Sequence, residues 1–445
     1  DFDYPPGSHS RPAPELLSQP QGVLVNQQLA SNYNSNLALN VAPGGQPGGF
    51  QPQQVDANFS WTGAANTTWN NAGNWSPSGP PSGNDTALFN SAFSNQPNLV
   101  ADAAIGTLLM TNSVAQDVTI SSSLAAILTI AGNGIPGTGI LIDSGSPFAL
   151  TITARVGIDA SQAWINNSGN LFTVSGATLA LGEQNILTVN GTGNTLISAA
   201  INDAGLGSGI VKDGSGTLTI TASNTYSGGT TVNSGTLLVN GRGDLGTGNV
   251  TVNNSGTIGG DSTSALISRG SFDDARDRLT VSAGGNLAPG NGGNNTAVIT
   301  LHALTLEPAS NFRIDINGTS PGTGYDRLVL TGAGNNRYVI TNSNLLVSVG
   351  STLSVGQTFL IGLRTAGGSI RGEFAQGNSV VGSDGTVFSI SYIGGDGNDI
   401  VLTVAAAPVP EPSTWVGGVL AIAGLAFTQR RRLRKLIARR CAVAS

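Results

Sequence analysis

"GIVKDGSGTLTITASNTYSGGTTVNSGTLLVNG" occupies residues 209–241, and its spacing decides the fold. Lys212, Asp213 and Tyr226 are its only charged or phenolic side chains; the rest is mostly Gly, Ser, Thr, Asn and branched aliphatics. Runs such as "TLTI" alternate aliphatic and small polar residues, the period of a half-buried strand, and Gly, Asn and Ser break them. Leu218, Leu238 and Ile258 stand 20 residues apart, as do Val211, Thr231 and Thr251. A period of 20 holding several short strands predicts a coil of rungs, its strands stacked in parallel at roughly 4.8 Å. One rung cannot bury its own inward aliphatics, whereas a stack makes a continuous core.

The same pattern extends outward from this stretch. From about Leu99 to Val404 short runs such as "DVTI", "AILTI", "LFTVSG", "ILTVNG" and "VLTV" recur between Gly, Asn and Ser-Gly turns. No convincing amphipathic helix precedes residue 414. The expected fold is all-β, a right-handed parallel β-helix. At 20 residues per rung, residues 60–404 would give about 17 rungs and an axis on the order of 80 Å. An antiparallel sandwich is the structural rival, but its hairpins would be joined by shorter, less periodic loops.

Composition agrees with this reading. Among 445 residues there are 63 Gly, and 10% are charged, against roughly 25% in ordinary soluble domains. The net charge of −6 is unevenly placed. Seven basic residues and no acid follow Gln429, leaving 12 basic and 25 acidic residues before it, a net −13. The acidic body is not expected to bind nucleic acid by phosphate neutralisation. A single cysteine, Cys441, excludes a disulfide framework in the body, and two histidines, His9 and His302, exclude a multi-histidine metal site. The chain begins at Asp1 with no apolar leader, as expected of a fragment or of a chain whose signal peptide has been left out.

Four segments follow. Residues 1–55, rich in Pro, Gln, Asn and Gly, are expected to form a disordered lead. Residues 56–90 hold Trp61, Trp69 and Trp75, read as an aromatic cap over the open end of the β structure, with a sugar-stacking platform as the alternative. Residues 91–404 are the β-helix, with the repeat at 205–260. Residues 405–445 carry an apolar run and a basic cluster.

The repeat resembles the autotransporter-associated β-strand repeat of bacterial passenger proteins. The resemblance rests on Gly216-Thr217-Leu218, Asn224-Thr225-Tyr226, Gly228-Gly229-Thr230-Thr231-Val232 and Gly235-Thr236-Leu237. "GGNLAPGNGG" (284–293), "NGTSPGTGYDRLVLTG" (317–332) and "SISYIGGDGNDIVLTV" (389–404) look like segments that follow such repeats. The resemblance implies a passenger-like β-helix and supplies no catalytic residues. No translocator barrel follows, so self-export is not expected. "VPEPSTWVGGVLAIAGLAFTQRRRLRK" (409–435) resembles a PEP-CTERM sorting signal, with Pro410-Glu411-Pro412 as the sorting motif. Trp415–Phe427, as a helix about 20 Å long, falls short of the roughly 30 Å hydrocarbon core, so it suits temporary anchoring. Arg430, Arg431, Arg432, Arg434 and Lys435 would form the cytoplasmic basic anchor. The resemblance implies an exosortase-like processing enzyme as partner, with transient membrane contact through residues 415–427.

The remaining candidates for chemistry are few. "GGDGNDIVL" (394–402) fits a calcium nonapeptide, which would use Asp396 and Asp399, but such sites need stacked copies and one is present; a turn before the last strand is the competing reading. "GRGDLG" (241–246) contains Arg242-Gly243-Asp244 and G-x-G-x-x-G, yet a strand pattern follows where a dinucleotide site needs a helix, so an inter-strand turn is expected. "SFDDARDRL" (271–279), with Asp273, Asp274, Arg276, Asp277 and Arg278, reads as a solvated loop or as the charged patch of a β-helix lyase. His302 lies in a strand pattern, and a nucleophilic triad would have to use it. No cofactor is expected. The favoured function is a non-enzymatic, exported surface or extracellular-matrix scaffold or adhesin, with exopolysaccharide as a further partner. The alternative is a secreted polysaccharide lyase or hydrolase on the same fold.

Overall fold

The computed structural model describes residues 57–133, 137–261, 278–290, 295–334, 337–408 and 420–432. The repeat makes the logic of the fold visible. In Thr217–Ile220 the side chains alternate, Leu218 and Ile220 fully buried and the threonines facing out, as the two-residue period of a strand requires. The strand pairs in parallel with Gly235–Val239, and that strand with Gly256–Gly260. Beside them Gly209–Lys212, Thr230–Val232 and Val250–Val252 form a second parallel ladder, with Val211, Thr231 and Thr251 in one column as the spacing predicts.

The aliphatic column differs by one residue. Leu218 stacks on Leu237, and Leu237 on Ile258, whereas Leu238 stands against Thr219 and Gly259. The cause is a shorter corner. Six residues carry the chain from Lys212 to Leu218 and from Val252 to Ile258, but five from Val232 to Leu237. Gly235, at φ +66°, makes the tighter turn, a conformation open to glycine without steric cost.

Stacked over the whole chain, these strands form a parallel β-helix. One face is a sheet of fourteen strands, all parallel except Trp75–Ser76, which runs antiparallel to Asn58–Trp61. A second face has eleven strands. The third is discontinuous: five strands from Ala103–Ile105 to Ala200–Asn202, then a six-stranded sheet that starts at Val298–Leu301. Between them, at 221–229 and 240–249, no strand forms and loops close the rung.

The 20-residue rung is a local feature. Ile210, Thr230 and Val250 are 20 apart, but Val250 and Leu279 are 29 apart and Leu304 and Tyr338 are 34 apart. Longer rungs mean fewer of them. The fourteen-stranded face is on the order of 60 Å tall rather than 80 Å.

Both ends depart from the parallel stack. At the start, Trp61, Trp69 and Trp75 pack on one another, with ring centroids 6.1, 4.9 and 4.8 Å apart. At the other end, Thr358–Arg364 pairs in parallel with Arg327–Leu330 but antiparallel with Asp399–Ala406. Val387–Gly394 and Ser379–Val381 continue that antiparallel order. The parallel stack therefore begins before residue 91, at Asn58, and reaches Arg371–Glu373, which pairs in parallel with Tyr338–Thr341; the strands from Ser379 onward pair antiparallel. One aliphatic core runs through the solenoid from Trp61 to Val404.

Candidate functional site

Where the third face lapses, polar side chains replace the strand ladder. Asn224 is buried and accepts a hydrogen bond from the Ile201 backbone N–H (2.7 Å). Its own N–H donates to the Asp244 carboxylate one rung on (2.8 Å), which also receives the Ser223 hydroxyl (2.7 Å) and the Gly246 N–H (3.1 Å). One rung earlier Asp203 does the same work. Its carboxylate takes N–H groups from Gly205, Ser208 and Ser227 and the Ser227 hydroxyl. Burial opposes ionisation of Asp203, but these donors outweigh it and hold the carboxyl below its usual range. Tyr226 fills the corner with its hydroxyl 2.6 Å from that of Thr230, and burial drives its pKa far upward.

This arrangement decides the reading of Arg242-Gly243-Asp244. Arg242 is exposed, but Asp244 is 4% exposed and committed to the rung. An adhesion motif needs both side chains on display, so the segment serves as an inter-strand turn. A strand, Val250–Val252, follows it.

Lys212 was not singled out by its sequence context, yet alternation from Ile210 places it inward. It is 2% exposed, and its ammonium donates to the carbonyl oxygens of Asp213 (2.5 Å), Gly214 (2.9 Å) and Ser234 (3.3 Å). Burial pulls its pKa down to about 8, against the pull of Asp213. Asp326 is the second such group. It is buried, receiving N–H groups from Ala297 (2.7 Å) and Asp315 (2.8 Å). Burial, with the Asp315 charge adding to it, pushes its pKa up to about 7. Arg364 is the third, its guanidinium bonded to the carbonyls of Gly334, Ala366 and Gly367 and lying 5.0 Å from the Tyr338 ring centroid. Each of these three groups organises a corner of the solenoid, and they lie on separate rungs.

The other sequence candidates are dispersed. Asp396 is exposed in the hairpin turn between Val387–Gly394 and Asp399–Ala406, while Asp399 is buried and accepts the Arg364 backbone N–H (2.8 Å). The two strands are antiparallel, so this turn has no parallel neighbour of the kind a calcium nonapeptide stack uses. His302 is half-buried at a corner between Val298–Leu301 and Ala303–Leu306, where its carbonyl accepts the Tyr338 hydroxyl (2.9 Å). The tryptophan rings are turned into the core, each under 5% exposed, so they offer no stacking platform. Among the described residues no group of three or more His, Cys, Asp or Glu could hold a metal ion.

The lead 1–55, with His9, lies outside the described residues, as do Asp273, Asp274, Arg276 and Asp277. So do Pro410, Glu411, Pro412, Arg434 and Lys435. Residues 420–432 form a helix whose side chains are exposed, including Arg430, Arg431 and Arg432, with Arg431 5.0 Å from the Phe427 ring centroid. Among the described residues no helix is long and apolar enough to cross a membrane.

Comparison with known proteins places the repeat. Residues 210–239 match the passenger-associated-transport-repeat. The chain is 31% identical over 179 residues to an extracellular serine protease of Serratia marcescens, covering 40% of this chain and 15% of that protein. It is 34% identical over 116 residues to the adhesin BmaC autotransporter of Brucella suis biovar 1 (strain 1330), covering 26% of this chain and 3% of that protein. The chain thus spans a small part of the length of either relative.

Proposed function

We propose that this chain is an exported, non-enzymatic surface or extracellular-matrix protein whose β-helix acts as a scaffold or adhesin-like spacer. The observation that carries the reading is the passenger-associated-transport-repeat at 210–239, seated within a parallel solenoid. Stacked rungs supply rigidity by burying a continuous core, and a low charge density limits electrostatic stickiness. The names of the two relatives, an extracellular protease and an autotransporter adhesin, support display outside the cell.

In this reading the C-terminal segment is a sorting signal. An exosortase-like enzyme cuts near Pro410-Glu411-Pro412 after residues 415–427 have held the chain at the inner membrane, with the arginines that follow kept on the cytoplasmic side. The exposed apolar side chains Leu420, Ile422, Leu425 and Phe427 fit such a temporary contact. Intact-mass measurement of the protein from cell-surface fractions tests both parts. The expected species ends near Pro410. Recovery of the protein in the cytoplasm would overturn the proposal of export, and a surface form retaining residues 420–445 would overturn the proposal of cleavage.

A further inference from the structure

The segment "NGTSPGTG" (317–324) leaves the solenoid between the strands Asn311–Ile316 and Arg327–Leu330. Apart from Pro321 it has no apolar side chain to bury, so hydrogen bonds rather than packing close it. The Asn317 N–H donates to the Gly324 carbonyl (2.6 Å), the Gly324 and Tyr325 N–H groups to the Ser320 carbonyl (2.7 and 3.0 Å), and the Gly322 N–H to the Tyr325 carbonyl (2.8 Å). Thr319, Ser320, Pro321 and Thr323 are exposed. Tyr325, buried edge-on against Phe359 at 5.3 Å, anchors the far end.

The stem of this loop is fastened by one carboxyl group. The Asp326 N–H donates to the Asp315 carbonyl (3.0 Å), and the Asp315 N–H donates back to the Asp326 carboxylate (2.8 Å). The other carboxylate oxygen takes the Ala297 N–H (2.7 Å), which ties the stem to the segment entering Val298–Leu301. Thr296 in that segment reaches the loop itself, its hydroxyl donating to the Gly322 carbonyl (3.1 Å).

Nothing basic balances this clasp. Asp326 is 1% exposed. Arg327 turns to the Leu360 carbonyl (3.0 Å) and the Tyr325 hydroxyl (2.6 Å), and Arg313 turns to the Asn286 side chain (3.1 Å). Arg364, on the strand beyond Arg327–Leu330, stands against Leu330. Val298–Leu301 carries no ionisable group. The remaining charge is Asp315, which repels a second negative charge. Two neutral N–H donors do not offset the cost of burying a carboxylate.

We infer that residues 317–324 form a pH-sensitive strap, closed on the solenoid while Asp326 is protonated and released when it ionises. The closed form keeps the proton to about pH 7, whereas a released, hydrated carboxyl loses it near the ordinary 3.8. Between these values the closed form binds more protons, so rising pH favours release. Above about 7 both forms are ionised and the shift levels off. Release uncovers little apolar surface, which places the loop among the segments that open locally before the core does.

Hydrogen exchange of the full chain, read by mass spectrometry from pH 4.5 to 8.5 as protection factors, tests this. Protection in peptides covering 315–325 is expected to fall about tenfold or more between pH 4.5 and 7.5, then level off. It should stay below the protection of Thr217–Ile220 throughout. Asp326→Asn should remove most of the fall. Asp315→Asn, which deletes the repelling charge and keeps the clasp, should move the fall to lower pH, and it secures the result if Asp326→Asn does not fold. Constant loop protection across the range would overturn the inference. So would a fall of full size in folded Asp326→Asn, or an Asp315→Asn profile identical to wild type. Loop amides as protected at pH 7.5 as Thr217–Ile220 would also overturn it, since the loop would then open only with the whole solenoid.

Discussion

At the scale of single residues, the solenoid is held by polar groups placed where a simple aliphatic rung would not need them. Lys212 sits under a corner and satisfies three carbonyl oxygens that the turn leaves pointing inward. Its folded pKa of about 8 lies below the ordinary 10.5. Between these values the unfolded chain keeps the proton and the folded chain releases it, so stability rises with pH from about 8 to 10.5. Urea midpoints measured at pH 7.5, 9 and 10 should climb, and Lys212→Met should abolish the climb. Asp326 works in the opposite sense. Folded, it holds its proton to about pH 7, while the unfolded chain releases it near 3.8. The unfolded state then binds fewer protons between those values, and stability contributed by Asp326 falls as pH rises through them. The same titration from pH 4 to 7 should show a downward slope that flattens in Asp326→Asn.

At the scale of elements, the repeat shows how a rung of 20 residues closes without a third strand. Asn224 is the pivot, since it pairs one rung below and one above. Asn224→Ala leaves the buried Ile201 N–H without its acceptor. The expected cost is about 1–3 kcal/mol by chemical denaturation. The corner before Gly235 offers a steric counterpart. A Cβ there would stand 2.4 Å from the Gly214 carbonyl oxygen, at a φ of +66°. Gly235→Ala should therefore destabilise by about 1–3 kcal/mol from the backbone conformation alone, with the contact adding to it. A variant as stable as wild type would show that the corner can relax, and that the one-residue offset of Leu238 has another origin. The twofold alternation and the Val211–Thr231–Thr251 column were legible in the sequence because strand period and rung period coincide there. Leu238 was misplaced because a corner can lose one residue without disturbing the neighbouring ladder. Lys212 was legible in principle through its two-residue offset from Ile210. Asp244 and Asp326 were not, because a loop residue has no alternation to fix its direction.

At the scale of the whole molecule, the parallel stack was legible and its height was not. Rung length is set by insertions at corners, and these leave the strand pattern intact while changing the count. The antiparallel end was hidden for a related reason: "VFSISYIG" and "DIVLTVAA" alternate as any rung strand does, and alternation does not carry strand direction. Ends matter in a solenoid because each rung is stabilised by its neighbours, so a terminal rung exposes core unless something covers it. At the start the cover is the tryptophan cluster. Trp61 donates its indole N–H to the Asn95 carbonyl (2.8 Å) and Trp75 donates to the Trp69 backbone carbonyl (2.7 Å), so two of the three rings are pinned as well as packed. Trp61→Ala is expected to cost about 3–5 kcal/mol, lost first from the rungs nearest the cap. Hydrogen exchange should then show faster exchange at Thr86–Phe89 and Thr107–Met110, with Thr217–Ile220 and Gly235–Val239 close to wild type. Uniformly faster exchange along the solenoid would mean that the stack unfolds as one unit, and that the tryptophans stabilise all rungs equally rather than seal one end.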